Sequence, residues 1–175
     1  MKVVTTAAAM AFALGAASAL AAAPQPAKPV APTLFSGRWY EIARTQNKMQ
    51  DGCQASTSDF SDWTPNGGFS VTQTCRKGAP DGPRQVMRVS GRVLPASANA
   101  KMKLGLLGGL ISQEYWIIDH ADNNAWAIMD RADGRYVWLL SREPMLNAAD
   151  RAVALARLKA LGFDLSHIGF VQQAR

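Results

Sequence analysis

Hydrophobic and polar residues alternate along short segments through most of the 175-residue chain. Alternation with a period of two predicts β-strands that bury one face. Turn residues separate the segments, and the pair Asn66-Gly67 is typical of a tight β-hairpin. The predicted strands are "RWYEIAR", "QASTSDFSDW", "FSVTQTCR", "RQVMRVSGRVLP", "AKMKLGLLGG", "QEYWIIDH", "AWAIMD" and "RYVWLLSR".

The connections between the last predicted strands are short, as in "ADNN" and "RADG". A parallel crossover needs a dozen or more residues, so neighbouring strands are expected to pair antiparallel. After Pro144 the period becomes helical, with Asn147 as the N-cap and Gly162 as the stop, and "HIGFVQQ" follows as a short final strand. This order predicts an all-β fold, an eight-stranded up-and-down antiparallel barrel with one C-terminal helix packed outside. Closing the sheet removes both exposed edges.

The first residues differ in composition from the rest of the chain. Residues 1–21 hold Lys2, an uncharged alanine-rich run, and small residues at Ala19 and Ala21, which together predict a cleaved secretory signal peptide. An uncleaved membrane anchor is the alternative, because the apolar run approaches the roughly 20 residues that span a bilayer. Residues 22–34, rich in Pro and Ala, predict an extended linker before a single domain at 35–175.

Charge and cysteine content narrow the function classes. The 19 basic and 13 acidic side chains are scattered, which argues against a nucleic-acid surface and fits a solvated surface with, at most, transient membrane contact. In an exported chain the pair Cys53 and Cys75 favours a disulfide, with two buried free thiols as the alternative. Two histidines and the absence of a zinc-type cysteine spacing predict no metal and no cofactor. The oligomeric state is not determined by the sequence.

Catalytic groups are not evident in the sequence. His120 follows Asp119, but adjacent strand residues point to opposite faces, so the two are poorly placed to act together. We expect His120 and His167 to be surface residues. No nucleophile-elbow serine and no phosphate-binding glycine loop occurs. The sequence therefore predicts no catalytic residues.

Two stretches resemble conserved motifs of the lipocalin family. "GRWYEIAR" is similar to the family's glycine-x-tryptophan motif, and "YVWLLSREP" is similar to its last conserved block. The resemblance extends from about Gly37 to Gln173, and it is strongest to bacterial lipocalins of the outer-membrane lipoprotein type, apolipoprotein D and the plant temperature-induced lipocalins. It implies that Trp39 closes one end of the barrel and that Arg142 lies across the indole ring, where cation–π attraction favours the pair.

The same resemblance bears on the cysteines. Cys53 and Cys75 fit a pattern common in this group, which implies a link between the second and third strands at the open mouth of the barrel. Bacterial lipocalins of the outer-membrane lipoprotein type carry a lipidation cysteine, but none occurs near the predicted cleavage site of this chain. The resemblance therefore does not imply a lipid anchor, and we expect the mature protein in the periplasm or outside the cell.

A ligand-binding face can be assigned from the turns. Centring the "RADG" turn on Asp133 places Ile128 opposite Trp138 and Trp126 opposite Leu140. The stretch 105–109 and the loop 45–51 would line the entrance. The residues alone are equally consistent with a solid core, whereas the lipocalin resemblance favours a cavity. The predicted ligand-binding residues are Tyr115, Ile117, Trp126, Ile128, Tyr136, Trp138 and Leu140.

Together these observations predict an exported carrier or scavenger of a small hydrophobic molecule, a fatty acid or a lysophospholipid. One alternative is an interaction protein whose barrel is filled and whose mouth loops bind a partner. A second is an enzyme with the lipocalin fold that acts on a lipid-like substrate.

Overall fold

The computed structural model describes residues 22–106 and 109–174. The predicted signal peptide, and residues 107 and 108 of the predicted entrance stretch, lie outside the described residues. The elements are β1 (Gly37–Thr45), β2 (Cys53–Ser61), β3 (Gly68–Lys77), β4 (Arg84–Val93), β5 (Lys101–Leu106), β6 (Ile111–His120), β7 (Trp126–Arg131), β8 (Val137–Ser141), α1 (Ala148–Ala160) and β9 (Ile168–Phe170).

The first eight strands form a closed antiparallel barrel. Each strand from β2 to β7 pairs with the next along the chain, and β1 closes the sheet by pairing with both β8 and β2. The ninth strand lies outside this closure and pairs antiparallel with the end of β1, at Ala43–Thr45. Helix α1 packs on the outside of the barrel against β7. The predicted barrel, outer helix and short final strand are therefore confirmed.

Because the strands run up and down, their connections alternate between two ends. The connections β1–β2, β3–β4, β5–β6 and β7–β8 lie at one end, which we call the open end. The other connections lie at the closed end, together with a short 3₁₀ helix at Pro32–Phe35 that precedes β1.

Apolar side chains pack in two layers, one inside the barrel and one between the barrel and the elements outside it. The inner layer is formed by Val30, Leu34, Phe35, Trp39, Phe60, Phe69, Val71, Ala100, Met102, Ile117, Ala127, Met129 and Leu140. The outer layer is formed by Ala23, Ile42, Ala43, Trp116, Ile118, Trp126, Ile128, Val137, Leu139, Ala154, Leu158 and Ile168.

Aromatic rings fill the lower part of the barrel. The ring of Phe60 lies 5.7 Å from that of Phe35 and 5.9 Å from that of Phe69, and Trp63 stacks on Phe69 at 4.6 Å. A Cβ at Gly91 would lie 2.2 Å from the Phe69 ring, so only glycine lets this ring cross the neighbouring strand. The closed end is thus solidly packed.

Trp39 and Arg142 form the expected plug. The Arg142 guanidinium lies 4.1 Å from the centre of the Trp39 ring and donates to the carbonyl oxygens of Leu34, Ser36 and Arg38. The Trp39 indole nitrogen donates to the same Leu34 oxygen at 3.1 Å. The guanidinium therefore joins β1 to the 3₁₀ helix.

The segment predicted as a linker is extended and lies along the barrel wall. In this N-terminal strap, residues 22–30, the Ala23 amide donates to the Ala132 carbonyl oxygen at 3.1 Å, and the Ala27 amide donates to that of Ile118 at 2.9 Å. Ala23 and Val30 are buried. The strap descends from the open end to the closed end.

The strap explains why the expectation for His120 is wrong. His120 is buried, and its ring nitrogens lie 2.9 Å and 3.2 Å from the carbonyl oxygens of Ala121 and Pro29. Because the strap covers the end of β6, this side chain fastens the strap and is not a surface residue. His167 is exposed, as expected.

Candidate functional site

The upper half of the inner wall is the candidate site. Tyr115 and Trp138 face inward near the open end, both half-buried, with ring centres 5.7 Å apart. Ile117 and Leu140 lie deeper on the same wall and are buried. Burial raises the pKa of the Tyr115 hydroxyl, so this group stays protonated at neutral pH.

Tyr136 lies next to this wall, just before β8. Its ring centre is 6.4 Å from that of Trp138, and the Arg131 guanidinium stacks on it at 4.6 Å. Tyr136 is therefore at the rim of the mouth, where it can contact a molecule entering the barrel.

The structure places two predicted residues elsewhere. Ile128 pairs with Leu139, and Trp126 pairs with Ser141, one position away from the expected register. Both side chains lie in the outer layer, so the expectation that Trp126 and Ile128 line the interior is wrong. Their places on the inner wall are taken by Ala127 and Met129.

The cause of this error is the length of the turn. The Arg131 amide donates to the Tyr136 carbonyl oxygen at 3.0 Å, which leaves four residues in the loop and a centre between Asp133 and Gly134. A shift of one residue moves every side chain to the opposite face of a strand. Helix α1 buries the outer face of β7, so both faces are apolar and the hydrophobic pattern does not distinguish them.

A polar network lies beside the apolar wall, and sequence reasoning missed it. The mouth network consists of Glu41, Arg44, Gln50 and Trp138. An Arg44 Nη1 to Glu41 Oε1 ion pair of 2.5 Å is buried, and Arg44 Nη2 donates to the carbonyl oxygens of Gln50 and Cys53 at 2.9 Å. The Arg44 guanidinium is thus hydrogen-bonded to one carboxylate and two backbone carbonyls.

Gln50 connects the two sides of the mouth network. Its amide nitrogen donates to Glu41 Oε2 at 2.7 Å, and its amide oxygen accepts from the Trp138 indole nitrogen at 2.9 Å. The loop between β1 and β2 is therefore fastened to the inner wall. Burial raises the pKa of Glu41, while Arg44 and Gln50 oppose that shift by stabilising the carboxylate.

A β-bulge positions the ion pair. The pairing of β1 with β8 shifts between Glu41 and Ala43, and both Ile42 and Ala43 lie in the outer layer. Glu41 and Arg44, three residues apart, consequently both turn away from that layer, although strict alternation would separate them.

Two further features lie at the open end. Cys53, at the start of β2, is joined to Cys75 near the end of β3, which confirms the predicted disulfide and excludes the free thiols. Asp130, on the outer wall of β7, is fully buried, and among the described residues neither of its carboxylate oxygens has a hydrogen-bond partner. Burial, with a smaller contribution from the Asp133 charge, raises the pKa of Asp130 to about 7.

Concave surfaces also occur outside the barrel. A groove of about 640 Å³ lies at the closed end between the 3₁₀ helix, the β2–β3 turn and the β4–β5 turn. A cleft of about 180 Å³ lies between the β1–β2 loop and β9. Neither includes the predicted ligand-binding residues.

Metal and membrane-spanning features were sought in the described ranges. Within residues 22–106 and 109–174, no three His, Cys, Asp or Glu side chains are grouped so that they could hold a metal ion. No helix in that part of the chain has both the length and the apolar character needed to cross a membrane.

Comparison with known sequences gives a consistent family match. The sequence model described as "Lipocalin-like domain" matches residues 33–173. The outer membrane lipoprotein Blc of Escherichia coli K12 is 30% identical over 141 residues, covering 79% of this chain and 77% of the relative. The protein of the same name from Vibrio cholerae is 24% identical over 155 residues, covering 86% and 88%.

Solved structures show the same architecture. Insecticyanin from the tobacco hornworm Manduca sexta superposes with a TM-score of 0.71 at 17% identity, covering 87% of this chain and 85% of its own. Lobster apocrustacyanin A1 superposes with a TM-score of 0.64 at 16% identity, covering 82% and 80%. At these identities the likeness extends to the fold alone.

Proposed function

Because the chain belongs to the lipocalin-like domain family, we propose that it is an exported carrier for one amphiphilic molecule, a fatty acid or a lysophospholipid. The fold and the relatives support a carrier that binds a small hydrophobic ligand. Members of this family are generally binding proteins and not enzymes. Our proposal adds two points, the chemical class of the ligand and the export of the protein.

One observation carries the proposal, the contrast in burial along the inner wall. At the closed end Phe35, Phe60 and Phe69 are buried, and the partly buried side chains there, Trp63 and Val93, line the outer groove. Near the open end the inner side chains Tyr115, Trp138, Val89 and Leu104 are only partly buried. An apolar chain that enters from the open end can therefore contact these four side chains and stop above the packed region.

The energetics fit a single acyl chain. Each buried methylene contributes about 0.8 kcal/mol, so burying roughly ten methylenes gives about 8 kcal/mol and a micromolar dissociation constant. The Arg44 guanidinium is already bonded to Glu41 and to two backbone carbonyls, so it offers no free cation for a head group. We place the head group at the rim, in contact with water.

Export rests on the predicted signal peptide. The described part of the domain carries both cysteines of the chain in one disulfide, which suits an oxidising compartment. We propose that residues 1–21 are removed and that the protein works in the periplasm or outside the cell. Intact mass measured on protein from the cell envelope tests this, and a mass that includes the leader would contradict it.

Native mass spectrometry of the same material tests the carrier. We expect one co-purified lipid per protein, lost in the variant Trp138→Glu, because an unpaired carboxylate on the apolar wall is costly. The matched control is Glu143→Gln, a charge change outside the inner wall. If folded parent protein carries no lipid and takes up none when offered, the filled-barrel interaction protein is favoured; turnover of the lipid would favour an enzyme.

A further inference from the structure

Exposed apolar side chains are concentrated at the open end. Among the described residues, the exposed large apolar side chains at this end are Met49 (73% exposed), Val86 (46%), Met87 (38%), Leu110 (87%) and Ile111 (55%). Met49 lies in the β1–β2 loop, Val86 and Met87 lie near the start of β4, Leu110 lies in the β5–β6 connection, and Ile111 begins β6. Of the other exposed ones, Met145 and Val153 lie elsewhere on the surface, and Phe170, stacked against Arg151, lines the cleft between β9 and the β1–β2 loop.

Such a grouping calls for an explanation. Single exposed apolar residues are ordinary, but a group on separate segments around one opening indicates an interaction surface. Met87 and Ile111 share a strand face with Val89 and Tyr115 at the entrance of the barrel, whereas Met49, Val86 and Leu110 belong to neither apolar layer. Folding alone therefore does not account for the last three.

Charge identifies the kind of partner. The segments 46–52, 76–88, 103–106 and 109–111, which carry the apolar side chains, hold six basic and two acidic residues, compared with 19 and 13 in the whole chain. The acidic residues are Asp51 and Asp81, and the basic ones are Lys48, Arg76, Lys77, Arg84, Arg88 and Lys103. Long basic side chains beside apolar tips are complementary to a surface that is anionic outside and apolar within.

We propose that the open rim, segments 46–52, 76–88, 103–106 and 109–111, docks on an anionic lipid bilayer. Leu110, Val86 and Met49 enter the head-group region, while the flanking lysines and arginines contact lipid phosphates. In this orientation the mouth of the barrel faces the membrane. The strap begins at the same end, because Ala23 is bonded to Ala132 beside the β7–β8 turn.

Binding to vesicles tests the docking without reference to the cargo. The mature protein is mixed with vesicles of phosphatidylethanolamine and phosphatidylglycerol, or of phosphatidylcholine alone, and the bound fraction is measured by co-sedimentation. We expect at least tenfold stronger partitioning to the anionic vesicles, and a decline as salt is raised, because exposed charges are screened. Equal partitioning to both vesicles, or none to either, would overturn the proposal.

Matched variants separate the rim from general hydrophobicity. Leu110→Asp and Val86→Asp should each reduce partitioning about tenfold, and Met145→Asp and Val153→Asp should leave it unchanged. All four positions are exposed, so folding is checked by thermal unfolding of each variant. If Lys48→Gln and Arg84→Gln together bind anionic vesicles as well as the parent does, the basic side chains have no part and the proposal fails. Equal losses in the rim and control variants would overturn it too.

Discussion

The two ends of the barrel use the same strands for different purposes. At the closed end, Trp39 is buried beneath Arg142, and four aromatic rings in contact fill that half of the barrel interior. At the open end, partly buried aromatic side chains stand beside a buried ion pair, and the connections carry apolar side chains into solvent. Stability is therefore concentrated at one end, and binding is expected at the other.

The largest expected effect is at the closed end. Trp39→Ala removes a fully buried ring and the surface on which Arg142 stacks, so it should lower the free energy of unfolding by about 3–5 kcal/mol. Urea unfolding measures this loss. Trp138→Ala, which removes a half-buried ring at the open end, serves as the comparison and should cost clearly less. If the two variants lost equal stability, the division between the two ends would not hold.

The disulfide is the exception at the open end, since it should stabilise the fold strongly. Cys53 and Cys75 are 22 residues apart, and closing a loop of that length is worth about 3 kcal/mol in the chain-entropy account. The double variant Cys53→Ser, Cys75→Ser should unfold at correspondingly lower urea concentration. The parent should fall to the same midpoint in a reductant. If reductant left the urea midpoint of the parent unchanged while the double variant was destabilised, the lost stability would come from the packing of the substituted side chains and not from the disulfide.

The parts of the fold that could be predicted are those that local pattern determines. Alternation, short connections and the helical period after Pro144 specify the barrel and its outer helix. Trp39 and Arg142 could be paired because their motifs resemble a known family and because a guanidinium stacks favourably on an indole. Cys53 and Cys75 could be paired because the chain holds only two cysteines.

The remaining features depend on contacts that no local pattern reveals. Trp126 and Ile128 could not be assigned to a face, because helix α1 makes the outer face of β7 as apolar as the inner one. The Glu41–Arg44 pair depends on a bulge, which breaks the alternation used to assign faces. The strap follows from hydrogen bonds to β6 and the β7–β8 turn, whereas its Pro- and Ala-rich composition indicates only an extended chain.

A smaller effect on stability is expected from the ionisation of Asp130, which lies on the outer wall near the open end. In the native protein this carboxyl keeps its proton to about pH 7, whereas an unfolded aspartate loses it near pH 3.8. The native state thus binds more protons between these values, so the contribution of Asp130 to the free energy of unfolding falls as pH rises from about 4 to 7.

Asp130→Asn removes this ionisation and tests the assignment. The melting temperature of the variant, relative to the parent, should rise between pH 5 and pH 8. Asp59→Asn, which removes the carboxylate paired with Arg38 near the closed end, is the matched control, and its difference from the parent should not change over this interval. A constant difference between Asp130→Asn and the parent from pH 5 to pH 8 would show that Asp130 is ionised throughout.

The central claim, that the upper inner wall binds an acyl chain, is tested most directly by calorimetric titration with saturated fatty acids and lysophospholipids of increasing length. Affinity should rise about fourfold for each methylene until the upper half is filled, and then level off. Trp138→Ala, on the inner wall, should weaken the short chains, whereas Trp126→Leu, on the outer wall, should leave every affinity unchanged. A folded parent that binds no chain, or equal affinities in the parent and Trp138→Ala, would contradict the account.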